Sequence, residues 1–374
     1  MSKTRLSVLS AALLCLVGTT VLVTGGSASA AAHPANAYVD DYPMLHYVAG
    51  DGVVNDVVVR TTDAGYEIED LNSAIVLDET RARGCRLATP HKLACPRILN
   101  LSLVVDLADG NDFFSSFATD LRAQVWGRDG DDTFYGGPND DTFSGGPGQD
   151  LIYGAAGNDV IHGDDGEDKI FGGDGLDIIY GGNGDDDING GDDNDALFGD
   201  AGRDVLNGDA GDDRIIDGGR GIDTLLGGDG DDELWSIDDE QDILHGGAGD
   251  DNMITSGYGD FNGDAGTDTI SYSAVHSGVT VTLDGKKNDH CTGCDNHFVH
   301  ADIENVVGSR FDDQIYGNDS ANELSGADGN DLLLGNGGDD YLDAGHGENQ
   351  KEYGGPGVDT CVGYNLAVRD TCEH

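Results

Sequence analysis

The 374 residues carry 72 Asp and Glu against 19 Lys and Arg, a formal charge of −53, with 60 Gly and only 7 Pro. Such acidity repels phosphate backbones and anionic membranes, which argues against a nucleic-acid partner and points towards cations. It also opposes folding, because dense like charge with few large apolar residues rarely offsets the entropy of ordering, so a further source of stability is required.

The chain opens with Lys3 and Arg5, an apolar stretch over 9–23, and Ala28-Ser29-Ala30, the A-x-A form of a signal-peptidase site. Residues 1–30 are expected to be a removed signal peptide, which makes the mature protein secreted and extracellular, and no second apolar span occurs after it. Loss of Cys15 with the signal leaves an even number of cysteines in an exported chain, which reads as disulfides. Proximity suggests Cys85 with Cys95, Cys291 with Cys294 and Cys361 with Cys372, while other connectivities stay open.

Residues 31–126 hold β-like runs at 53–61 and 101–107, and the stretch DGNDFF sets Asp112 and Phe114 at the phases of a worn repeat. This region is read as a small N-terminal β cap domain over the exposed first coil of a repeat array beginning at Gly127. A separate catalytic domain is the alternative, but the region contains neither H-E-x-x-H nor G-x-S-x-G.

From Gly127 the sequence divides into nine-residue units, GRDGDDTFY, GGPNDDTFS, GGPGQDLIY, GAAGNDVIH and their successors, without a gap until a ten-residue unit at Gly208. Units at Gly218 and Gly227 restore the pattern. The sixth position is always Asp: Asp132, Asp141, Asp150, Asp159, Asp168, Asp177, Asp186, Asp195, Asp204, Asp213, Asp223 and Asp232. The eighth is always apolar, from Phe134, Phe143, Ile152 and Ile161 to Leu225 and Leu234. In a chain that is 37% apolar, such a run has a chance probability below roughly 10⁻⁵, which decides against an unstructured acidic tract.

Positions seven to nine predict a three-residue strand with one side chain inward and two outward, since successive strand residues alternate faces. Two units then make a coil of 18 residues, and the inward column can be buried only against neighbouring coils. The expected fold is therefore all-β, a parallel β-roll. The remaining positions form turns in which Gly supplies positive φ and close approach. A column of sixth-position carboxylates opposes this fold: two of them about 4 Å apart repel by about 1 kcal/mol in water and about 4 at an effective dielectric near 20. A hard divalent cation reverses the sign, and Ca²⁺ accepts the oxygen-only ligands that Gly carbonyls and Asp carboxylates offer.

GGPGQDLIY and GGDGLDIIY have the form GGxGxDxUx and resemble the repeat of hemolysin-type (RTX) calcium-binding proteins. The resemblance implies a calcium-stabilised β-roll in which the sixth-position Asp of one unit and that of the second unit on share one Ca²⁺, with turn carbonyls completing the shell. Ala155, Asp164, Asp200 and Asp209 replace the second-position Gly, and Asn139 and Asp193 the fourth, so some turns are expected to bind weakly.

The pattern loosens through Trp235, recovers at GGAGDDNMI and GDAGTDTIS with Asp251 and Asp268, and ends the first block, 127–271. The inter-block linker, 272–307, resembles a segment found between repeat blocks in secreted actinobacterial members of the family, and its strands are expected at 278–283 and 302–307. It carries Cys291, Cys294, His297 and His300, a set that suits zinc as the alternative to an oxidised CxxC. The second block, 308–374, resumes the ladder with Asp313, Asn322, Asp331 and Asp340 at the sixth position, and ends with Cys361 at the inward phase. A Cys361–Cys372 disulfide would seal the last coil.

The function expected is that of an extracellular calcium-binding protein whose sixth-position Asp residues (Asp132 to Asp232 in the twelve units, Asp251, Asp268, Asp313, Asp331 and Asp340) ligate Ca²⁺ and which folds on binding. It would not be an enzyme. A calcium-dependent adhesin or surface-layer protein shares every physical feature. A secreted hydrolytic or polysaccharide-active enzyme carrying the repeats would need a catalytic constellation elsewhere, and pairs such as Asp231 and Asp232 fall at repeat phases instead.

Overall fold

Strands joined by tight turns make up the described secondary structure, as Gly- and Asp-rich units with one apolar phase demand. The structure, a computed structural model, describes residues 23–24, 35–39, 44–49, 54–77, 84–97, 102–238, 240–291, 294–363 and 366–372. The expected signal peptide lies outside these residues save for Val23–Thr24. Among the described residues no helix is long and apolar enough to cross a membrane. The chain divides into two units, Met1–Asp192 and Asp193–His374.

In the first unit, one face is a parallel series of Met44–Val48, Ser102–Asp106, Arg122–Trp126, Thr142–Pro147, Val160–Asp165 and Ile178–Asn183. The other runs through Asp56–Thr62, Phe113–Phe117, Thr133–Tyr135, Leu151–Ala156, Lys169–Asp174 and Asp187–Asp192. Within the repeats each unit meets the one 18 residues on, so two units make a coil. The inward column is closed to solvent: Phe134, Phe143, Ile152, Ile161, Ile170, Ile179 and Ile188 are each at most 1% exposed. Burial of each such side chain contributes about 1.5–3 kcal/mol. The repeat strands are longer than the three residues expected, because first- to third-position backbone also pairs from coil to coil, as in Gly146↔Asp164 and Pro147↔Asp165. Outward ninth positions stack at the same spacing, Tyr135 on Tyr153 and Tyr153 on Phe171 with ring centroids 4.8 Å apart.

The parallel pairing does not begin at Gly127, where a boundary with a cap domain is expected. Val125 pairs with Phe143 on one face and Phe114 with Phe134 on the other, so residues 102–126 are themselves coils. Their period differs, with the Asp112 amide reaching a carboxylate 20 residues on, and a long insertion precedes them. Antiparallel strands lie at that end of both sheets, the first face's from the preceding chain and the second face's from the insertion. Ala35–Val39 lies against Met44–Val48, while Gly65–Asp70, Lys92–Pro96 and Arg86–Thr89 extend the second face in turn. Cys85 and Cys95 are joined by a disulfide. Antiparallel outer strands of this kind occupy the open edge of the first coil.

In the second unit, Leu197, Leu206, Ile215, Leu225 and Leu234 form an inward column, followed by Leu244, Met253, Phe261 and Ile270, all fully buried. The linker is partly solenoid. Thr269–Ser271 pairs directly with Asn305–Val307, and Glu304 in front of it accepts a hydrogen bond across a separation of 36 residues, two coils' worth of chain. The other face gains three strands there: Cys294–Val299 parallel to Gly259–Ala265, then Asp289–Cys291 and Val279–Thr282. Val279–Thr282 hands the ladder on to Gln314–Tyr316 of the second block. In that block Ile315, Leu324, Leu333 and Leu342 are fully buried on strands of three residues, the length the alternation predicts. Cys361 is paired with Cys372.

Candidate metal centre

The turn that succeeds each short strand returns the chain to its next coil, and its sixth residue is held inward by hydrogen bonding along the roll. The amide of one sixth-position Asp donates to Oδ1 of the Asp one coil further: Asp132 to Asp150 at 2.6 Å, Asp141 to Asp159 at 2.6 Å and Asp150 to Asp168 at 2.7 Å in the first unit. In the second unit Asp195 donates to Asp213 at 2.7 Å, Asp232 to Asp251 at 2.8 Å and Asp340 to Asp359 at 3.1 Å. All seventeen Asp residues expected as ligands lie on these inner turns, each at most 3% exposed.

One oxygen of each carboxylate is thus satisfied, and the second is not. Oδ2 of Asp132, Asp150, Asp159, Asp168, Asp213, Asp232, Asp251, Asp268, Asp331 and Asp340 is buried without a hydrogen-bond partner. An unsatisfied buried carboxylate oxygen is costly. These oxygens converge on first-position Gly. A methyl group on Gly127 would lie 2.0 Å from Asp132 Oδ2 and 2.4 Å from the Gly145 carbonyl oxygen, and one on Gly227 would lie 2.3 Å from both Asp232 Oδ2 and the Gly246 carbonyl oxygen. The space over Gly127, Gly145, Gly227, Gly246 and Gly335 is therefore lined by a carboxylate oxygen of one turn and a carbonyl oxygen of the next coil. That donor set suits a hard divalent cation. Burial also raises the carboxyl groups, with neighbouring carboxylates adding to it: Asp132 to about 9, Asp159 to about 8, and Asp150 and Asp232 to about 7.

The rungs are not equivalent. Asp141 accepts Gly137 N–H on its second oxygen, and Asp313 accepts both the amide and the hydroxyl of Ser309. Asn322 accepts Asn318 N–H and donates from its own amide to the Glu304 carbonyl, so a neutral group closes that rung. The substituted second positions keep the turn all the same: Ala155, Asp164, Asp200 and Asp209 have φ between 66 and 89°, a left-handed conformation that Asp adopts more readily than Ala.

Sequence reasoning missed four acidic residues of the ladder. Asp242 is fully buried and accepts Asp223 N–H at 2.9 Å, and IDDEQDILH reads as a repeat once Leu244 is placed at its eighth position. Asp359 is the sixth residue of GGPGVDTC and its Oδ2 is unpartnered. Asp217 is the tenth residue of the long unit, and its carboxylate meets those of Asp238 and Asp242 within 4.8 Å. Glu304 stands four residues before Gly308, at the sixth position of VHADIENVV with buried Val306 at the eighth, where Glu replaces Asp and the turn has no Gly.

The zinc alternative is not assembled. Cys291 is disulfide-bonded, the side chain of Cys294 lies outside the described residues, His297 is buried with Nε2 2.6 Å from the Tyr272 hydroxyl, and His300 Nε2 is 2.8 Å from Asp260 Oδ1. Burial lowers His297 to about 4.

Coils of two nine-residue units with an inward carboxylate and carbonyl ladder define a parallel β-roll of the calcium-binding type. The RTX calcium-binding nonapeptide repeat matches this chain over residues 126–161, 153–188, 162–197, 189–216, 215–236, 238–257, 301–333 and 316–350. The chain is a hemolysin-type RTX repeat protein, a calcium-binding β-roll. No curated protein matches it.

The two kinds of rung should behave differently. Asp150→Asn, which neutralises a rung whose Oδ2 has no protein partner, is expected to raise the calcium concentration needed for folding about tenfold. Asp313→Asn, at a rung already closed by Ser309, should change it by less than about twofold. Calcium titration followed by circular dichroism measures both.

Proposed function

We propose that the protein is secreted, stays largely unfolded until it meets extracellular calcium, and then serves as a non-enzymatic calcium-dependent binding or structural protein. The observation that carries this reading is the column of buried Oδ2 atoms facing Gly carbonyls without a hydrogen-bond donor. The ligands assigned are the sixth-position Asp residues, joined by Asp242 and Asp359. Calcium supplies charge neutralisation there; the chain supplies oxygens already oriented by the amide-to-Oδ1 ladder. The leader-like first thirty residues and the cysteine pairing support export. Catalysis by carboxylate pairs finds no support at Asp231 and Asp232, since Asp232 belongs to the ladder and Asp231 accepts Asp250 N–H at 2.9 Å. Calorimetric titration of the disulfide-intact mature chain with CaCl₂ is expected to show uptake of several ions at roughly 10⁻⁴ to 10⁻³ M, together with a gain of β signal. No uptake at millimolar calcium would sink the reading.

A further inference from the structure

Where the linker meets the second block, an open cleft of about 600 Å³ lies between the strand Val279–Thr282 and the turn that starts at Gly308. Its walls are fixed to one another: Val279 N–H donates to Asp313 Oδ1 at 2.7 Å, and Thr280 is in register with Gln314. Gly278 lets them close up, since a methyl group there would lie 2.2 Å from the Asp312 carbonyl oxygen. Arg310 lines this cleft. It is exposed and forms no hydrogen bond or ion pair among the described residues, whereas Arg122, Arg128 and Arg214 are each paired with a carboxylate. Beside it the Phe311 side chain is 45% exposed. Asp312 Oδ1 is held by Asn330, whose backbone and side-chain N–H groups both donate at 3.0 Å, and Gln314 Oε1 accepts the Tyr316 hydroxyl at 3.1 Å. Among the described residues, Asp312 Oδ2 and the Gln314 amide nitrogen stay uncommitted. Arg310 also lines a second cleft, of about 380 Å³, whose wall carries Ser325, Asp328 and His346.

The lining selects among ligand classes. An anion would meet Asp312 and Asp328 in a chain of formal charge −53, and a cation would meet the unpaired guanidinium. A purely apolar ligand would find one exposed ring, since Val279 is 2% exposed. Hydroxyl groups donate and accept at once, so they suit a wall that sets guanidinium and amide donors beside a carboxylate acceptor. An aromatic face among such groups packs against the C–H side of a sugar ring. We propose that the clefts on either side of Arg310 bind a neutral oligosaccharide: Arg310 and Gln314 donate to its hydroxyl groups, Asp312 accepts from one of them, and Phe311 packs on a sugar ring. Two clefts that share one arginine call for more than one sugar unit. The site gives a partner class to the binding role proposed above and rests on that reading for the folded state alone. The rung behind it, Asp313, is already closed by Ser309, so occupancy depends on calcium only through the fold.

The test is calorimetric titration of the disulfide-intact mature chain, in millimolar Ca²⁺, with maltohexaose, cellohexaose and N-acetylchitohexaose, and with hexagalacturonic acid as the anionic counterpart. At least one neutral hexasaccharide is expected to bind. Arg310→Met, which keeps the stem and removes the donors, and Phe311→Ala are each expected to weaken that binding about tenfold. Arg220→Met, at another exposed arginine, should leave it within about twofold. Circular dichroism of each variant with and without calcium reports the fold independently. Binding lost in the two cleft variants with the β signal intact supports the site. It does so even where that β signal ignores calcium, a result that would overturn the calcium reading alone. No binding of any neutral probe, equal binding by the wild type and both cleft variants, or preference for hexagalacturonic acid overturns the site.

Discussion

Chelating calcium at about pH 8 is expected to abolish most of the far-ultraviolet β signal, and acidifying the metal-free protein to about pH 5 is expected to restore part of it. Burial holds the carboxyl groups of Asp168 and Asp177 at about 6, Asp150 and Asp232 at about 7, Asp159 at about 8 and Asp132 at about 9. A folded value above the unfolded one, about 3.9 for Asp, means that the metal-free fold takes up protons as it forms. Its stability from these groups is complete below about pH 4 and is lost as pH rises through the window of about 6 to 9. Calcium reverses the sign. Bound metal needs the ionised carboxylate, so the loaded form keeps its stability at neutral pH and loses it as acid protonates the ligands towards their ordinary range near 4. Circular dichroism at the two pH values, with EDTA and with millimolar Ca²⁺, separates the cases. Equal signals with and without metal at the higher pH, or a metal-free form that is more stable there than at the lower, would overturn the account.

Gly184→Ala is expected to be the most damaging single methyl group in the repeats, costing more than about 3 kcal/mol and moving the calcium midpoint beyond the millimolar range. Gly184 is the fourth residue of its turn, with φ +140°, a backbone conformation open to Gly and little else. An added methyl carbon would also stand 1.4 Å from the Gly166 carbonyl oxygen one coil below. Backbone, not a flexible side chain, is what it would strike, so the coils would have to part. Gly166 N–H donates to the Asn183 carbonyl at 2.8 Å beside this contact, and that bond and the neighbouring Asp168–Asp186 rung would be lost together. Thermal unfolding in saturating calcium measures the loss; a melting temperature within about 2 °C of the wild type would show that the turn can relax.

The legibility of each feature in the sequence depends on how local its signal is. Asp at the sixth position and an apolar residue at the eighth recur within one nine-residue window, so the coil, its inward column and all seventeen buried Asp residues could be placed by counting. Asp242 carries the same signal in a unit without Gly, where a looser template would have found it, while Asp359 stands in GGPGVDTC with the full Gly pattern and could have been counted directly. The coils before Gly127 could not be found that way: their strands pair at separations of 20 and 57 residues, because an insertion of free length interrupts the chain without interrupting the sheet. Glu304 is in frame with Gly308 and has Val306 at the eighth position, but Glu in place of Asp and a turn without Gly hide it from the motif; what the sequence does not show is that its partner strand lies 36 residues back.

The amino-acid sequence by itself determined the repeating period, the burial of one apolar column and the crowding of carboxylates that demands a cation, since alternation along a strand and the chemistry of Asp and Gly act within a few residues. Tertiary structure alone decided which oxygen of each carboxylate is spent on a neighbouring amide, which rungs Gly137, Ser309 and Asn318 close without metal, and where the linker returns its own acids to the ladder. Those outcomes depend on the register between chain segments far apart in sequence, which no local pattern encodes.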